Sequence, residues 1–153
     1  MKASFRGITR TVLFFSVTLV FFLGSSYSKD SQALVDKVWE YSLAHPDGFT
    51  IHIPDFEEPT YGIAVAYAYT QFSHSKESLP RVIKHAMEHD GYVGGWLDTD
   101  TGLYYFDSSK LFPETEREAA IAFGLENKQL AIYVISTGET IDLTDFPVPP
   151  GYN

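Results

Sequence analysis

Val93-Gly-Gly-Trp-Leu-Asp-Thr-Asp-Thr-Gly-Leu-Tyr-Tyr-Phe-Asp107 is the run on which the fold turns. Two aromatic-rich segments, Tyr92 to Asp98 and Leu103 to Asp107, flank Asp98-Thr-Asp-Thr-Gly102. Polar residues closed by glycine are what a four- or five-residue hairpin loop needs, with Gly102 supplying a positive φ. The same five residues also look like the start of a calcium loop. An EF-hand, however, needs glycine at its sixth position and a bidentate glutamate at its twelfth. Here glycine is fifth and the twelfth residue is Ser109, so the run reads as a turn between two strands. Gly94-Gly95 marks either a bulge or a place where a ligand or backbone comes close. A tryptophan such as Trp96 is more often core than ligand platform. The crowding of rings in the hairpin nevertheless makes Trp96, Tyr104 and Tyr105 the candidate ligand-binding residues.

Outward from the hairpin, hydrophobic spacing alternates between helix and strand. Asp30 to His45 places Leu34, Val35, Val38, Trp39 and Tyr41 at helical spacing, and Pro46-Asp-Gly48 ends the segment. Phe49 to Ile53 alternates as a strand and stops at Pro54, before the acidic loop DFEEPTYG. Ile63 to Thr70 reads as a strand with one bulky face (Ile63, Val65, Tyr67, Tyr69) and one small face (Ala64, Ala66, Ala68). A small face lets a helix or another backbone approach closely. Ser78 can cap a helix from Leu79 to about Asp90, with Gly91 at its C-terminal end. Thr115-Glu-Arg-Glu118 matches a capping box, opening a helix to near Asn127 with Ala119, Ala122 and Phe123 at core spacing. Leu130 to Ile135 and a last strand ending at Leu143 follow. The order α-β-β-α-β-β-α-β-β predicts an α+β domain, a mostly antiparallel sheet with helices on one face.

The N-terminus has the plan of a signal peptide. Lys2, Arg6 and Arg10 precede Thr11 to Leu23, an apolar run of 13 residues, shorter than the roughly 20 of a membrane-spanning helix. Ser26 and Ser28 stand where small residues precede a cleavage site. Residues 1–28 are thus expected to be removed, leaving an exported, periplasmic or extracellular domain over 29–143 with no stable membrane insertion, and a flexible proline-rich tail over 144–153. Loss of the three leader cations leaves 8 Lys and Arg against 20 Asp and Glu, a net charge of −12. That balance argues against nucleic acid as a partner, because phosphate backbones are held by clustered Lys and Arg. There is no cysteine, which excludes disulfides and a thiolate nucleophile.

His85-Ala-Met-Glu-His89 reads H-x-x-E-H, the order in which two histidines one turn apart bind zinc in inverzincin peptidases. Leu79, Val82, Ile83 and Ala86 define that helix's apolar face; His89 falls on its flank and His85 toward the polar side. Histidine in a last helical turn also complements the helix dipole. His85 and His89 are therefore weak metal candidates, and no cofactor is expected. His45, His52 and His74 stand apart from any acid pattern. Asp107 is the acid of most interest: Asn127 and Gln129 arrive after the next helix and can converge on the same sheet end, His89 with them, around one cleft. Against this stands a plain turn cap, Asp107 with Ser108.

The order of Asp47-Gly-Phe-Thr50, Tyr61-Gly-Ile-Ala-Val65, Val93-Gly-Gly-Trp96, Thr101-Gly-Leu-Tyr-Tyr-Phe-Asp107, Phe123-Gly-Leu-Glu-Asn127, Gln129-Leu-Ala-Ile132 and Thr137-Gly-Glu139 resembles a small module of bacteriophage and other mobile-element proteins, including head-morphogenesis and toxin-type polypeptides. The resemblance implies no assigned activity. The expectation is a binding domain whose partner is a protein or a small polar molecule. The alternative is a small secreted hydrolase or toxin-like enzyme around Asp107, Asn127 and Gln129.

Overall fold

The computed structural model describes residues 29–146. The expected signal peptide, residues 1–28, and the tail from Pro147 onward lie outside them. Three helices, α1 (Lys29–Ala44), α2 (Leu79–Met87) and α3 (Arg117–Glu126), are each followed in the chain by two strands: β1 (Phe49–His52) and β2 (Ile63–Ala66), β3 (Tyr92–Asp98) and β4 (Leu103–Phe112), and β5 (Ala131–Val134) and β6 (Glu139–Asp142). The strands form one six-stranded sheet in the order β1-β3-β4-β2-β5-β6, every pairing antiparallel. This is the expected α+β architecture.

Strand alternation divides the sheet into two faces. One carries Phe49, Ile51, Val93, Phe106, Ile63, Val65, Phe112, Ile132 and Ile141, all buried. The first four pack with Val35 and Val38 of α1 and Leu79, Val82, Ile83 and Ala86 of α2. The others pack with Ala120 of α3. Strand β4 belongs to both cores, through Phe106 and Phe112. All three helices therefore cover one face.

The hairpin is a regular ladder from Tyr92↔Ser109 to Asp98↔Leu103, with no bulge at Gly94-Gly95. At the turn, Asp98 Oδ1 accepts from the Asp100 N–H at 2.9 Å, Oδ2 accepts from the Thr101 hydroxyl at 2.8 Å, and Gly102 has φ +70°. These bonds hold the Asp98 carboxyl below the usual aspartate pKa, the Thr101 hydroxyl contributing most.

Several boundaries differ from the sequence reading. The strand read over 63–70 stops at Ala66, and the chain turns into a 3-10 helix over Ala68–Thr70. There the Ala68 N–H finds no ladder carbonyl and donates instead to Asn127 Oδ1 at 2.9 Å. Strand β4 runs on through Ser108, Ser109 and Lys110, a polar stretch that does not look like a strand. It holds because both buried serines are satisfied, Ser108 by His85 and Ser109 by Asp107. The capping box at Thr115 does not form: Glu114–Glu116 is a 3-10 turn and α3 begins at Arg117. The helix consequently turns Ala120 and Gly124 inward, leaving Ala119 and Ala122 exposed. Past β6 the chain stays on the fold to Phe146, which packs against the second core.

Candidate functional site

The face away from the helices carries short side chains. Thr50 of β1, Gly94 of β3, Asp107 and Ser109 of β4, Ala64 and Ala66 of β2, and Ala131 of β5 line a trough of about 910 Å³ that reaches Thr140 of β6. Among the described residues the small face of β2 is thus covered by neither helix nor backbone, and Ala64 and Ala66 form part of the trough floor. Trp96 and Tyr133 rise from the trough, 50% and 45% exposed. The loop between β1 and β2 contributes Glu58, Pro59 and Thr60 to the wall.

Trp96 stacks on Tyr105, its register partner, with centroids 5.3 Å apart and planes at 17°. These two of the three candidate binding residues share the open face. Tyr104 does not: alternation turns it onto the helix side, where its hydroxyl donates to the His45 carbonyl at 2.7 Å. Burial pushes the Tyr104 hydroxyl up to about 12, aided by the charge of Asp47. Trp96 is a half-exposed wall of the trough rather than a core residue.

Asp107 lies opposite Gly94 in the ladder. A Cβ at 94 would come within 3.0 Å of Asp107 Oδ1, so glycine leaves the space in which the carboxyl lies. Gly95, one residue on, faces the helices, where a Cβ would meet the Phe49 ring at 2.7 Å and the Tyr104 ring at 2.8 Å. The glycine pair is thus close approach on both faces rather than a bulge. Asp107 Oδ1 accepts from the Ser109 hydroxyl. No Lys, Arg or His among the described residues pairs with the carboxyl. Burial raises its pKa above that of an ordinary aspartate, and the Ser109 bond only partly offsets this.

Of the four residues proposed to share a cleft, Asp107 and Gln129 line the trough, while Asn127 and His89 do not. Both Asn127 side-chain groups serve the backbone, Oδ1 at Ala68 and Nδ2 at the Phe123 carbonyl, 3.0 Å away. The Gln129 amide donates to the Asn127 carbonyl at 3.0 Å. His89 is on the helix side, stacked on His85 with centroids 3.9 Å apart, its Nδ1 bonded to the His85 carbonyl. The sheet separates it from Asp107.

His85 faces inward rather than to the polar side: its Nδ1 meets Ser108 Oγ at 2.6 Å, and Tyr67 and Tyr69 lie against its ring. Burial lowers its pKa, and the neighbouring His89 adds to that effect. A Ser–His pair is the start of a nucleophilic site, yet Ser108 is 0% exposed and so cannot reach a substrate. It is a satisfied core contact between α2 and β4. Among the described residues no three His, Asp or Glu side chains gather as a metal site. His52, which looked isolated, bonds Asp55 three residues on at 2.9 Å. The trough itself was legible only in part: alternation gave the small face of β2, but nothing in the sequence told that it would stay uncovered. No protein-family model, curated protein or solved structure matches the chain.

Proposed function

We propose that this chain is an exported binding domain whose partner, an extended segment of another protein, lies across the helix-free face of the sheet. The observation that carries this reading is the trough, which takes residues from all six strands. At roughly 4.8 Å per strand, six strands span about 24 Å. An extended chain of about seven residues covers that length. Small floor residues let a backbone lie close, and Trp96 and Tyr133 offer rigid rings of the kind that anchor interfaces. The mobile-element resemblance is compatible with such a role and adds no activity to it.

Titrating a pool of random heptapeptides into isotope-labelled protein tests the reading. Amide shifts should gather at Ala64, Trp96, Asp107 and Tyr133 and leave α1, α2 and α3 unmoved. Shifts confined to the helical face, or none at all, overturn it. Export is tested by fractionation of the producing cell, where a processed form is expected outside the cytoplasm.

A second reading, hydrolysis with Asp107 as general acid, draws on the raised pKa of a carboxyl in a cleft. Turnover of an ester, peptide, glycoside or nucleotide substrate, abolished by Asp107→Asn, would replace binding by catalysis.

A further inference from the structure

We infer that the segment seated in the trough is basic and sets a lysine ammonium against the Asp107 carboxylate, an inference that rests on the binding reading above. Charge complementarity is the first ground. The residues lining the trough include Asp47, Glu58 and Asp107 and not one Lys, Arg or His. Glu58 is fixed in the wall by the Tyr41 hydroxyl, which donates to it at 2.6 Å.

The second ground is Asp107 itself. It is the acid on the floor, beside Thr50, Gly94, Ala66 and Ser109, and no cation among the described residues answers it. The Asp107 carboxylate is partly withdrawn from water and lacks a countercharge, which is costly, and a charge brought by the ligand reduces that cost on binding. The stacked rings of Trp96 and Tyr105 stand on the same face of the hairpin, and an aromatic face also attracts a cation.

Geometry then chooses between the two basic side chains. The Ser109 hydroxyl already donates to Oδ1 of Asp107, which leaves Oδ2 the less engaged oxygen. A guanidinium presents a fork that fits both oxygens of a carboxylate, whereas an ammonium is a point charge satisfied by one. The neighbouring glycine and alanines leave room for a four-carbon stem. Lysine is therefore preferred to arginine.

Selection of a displayed random heptapeptide library on the purified chain tests this, run in parallel on Asp107→Asn and on Ala64→Trp, whose side chain would fill the trough floor. Peptides retained by the wild type should carry lysine at one position about tenfold more often than those retained by Asp107→Asn, consistent with the weight of a desolvated charge pair. Arginine at that position should be enriched less. Peptides that bind the wild type and fail on Ala64→Trp, but show no lysine preference or keep it on Asp107→Asn, overturn the inference and leave the binding reading standing. Equal selection by the wild type and Ala64→Trp, with the variant's circular dichroism unchanged, removes both.

Discussion

Asp107 joins local chemistry to stability, and its effect has a definite sign. Burial raises its folded-state pKa above that of the unfolded chain, where an aspartate titrates near 3.9. Between about pH 4 and the raised folded value, the unfolded chain ionises while the folded chain holds its proton. Stability is thus lost as pH rises through that window, and the loss is complete above the raised folded value. Asp107→Asn keeps an oxygen for the Ser109 hydroxyl and removes the charge. It should be more stable than the wild type at pH 7 by about 1 to 3 kcal/mol in denaturant titrations, with the difference vanishing below about pH 4. A wild type that is the more stable at pH 7 would mean the carboxylate is not desolvated. Asp107 stood out in the sequence as an acid ending an aromatic run, but its partner was misread as Ser108. The strand continues, so Ser108 lies on the opposite face and Ser109 shares the face of Asp107.

At the scale of the element, the β3–β4 hairpin was readable because its signals are local. Turn chemistry fixed Asp98 to Gly102, and aromatic density fixed the two strands. What escaped was which ring faces which way, since a period of two sends Tyr104 and Phe106 to the core and Tyr105 to the trough. Position 95 is held to glycine by packing, with rings on both sides and no room to yield. Gly95→Ala should lower stability by about 1 to 3 kcal/mol, the cost of overpacking a filled core, as read by thermal or denaturant unfolding. A neutral result would mean that the Phe49 and Tyr104 rings can part. The polar continuation of β4 was hidden for a different reason. Its serines are tolerated through His85, 23 residues before Ser108 in the chain, and through Asp107, which reaches Ser109 only because the strand continues and sets the two on one face.

Across the whole molecule the expected order of elements is the observed one, because amphipathic spacing decides type and short loops make neighbours antiparallel. The failure to foresee an uncovered face has an equally physical cause: side-chain size tells how near something can approach, not whether anything does. The two halves of the sheet differ in how firmly they are joined. β3 and β4 pair over seven residues, whereas β2 and β5 meet only at Ile63↔Val134 and Ala64↔Tyr133. Amide hydrogen exchange should therefore be slowest in β3 and β4 and faster by about one to two orders of magnitude in β5 and β6, whose opening need not unfold the rest. Uniform protection across the sheet would contradict this. The two tryptophans divide in the same way, and the division has an optical use. Trp39 packs against the first core, 6.1 Å from Phe106, while Trp96 stands half exposed in the trough. The chain thus carries two intrinsic fluorophores with separate duties: the emission of Trp39 follows unfolding, and that of Trp96, open to acrylamide quenching, follows whatever comes to lie beside it.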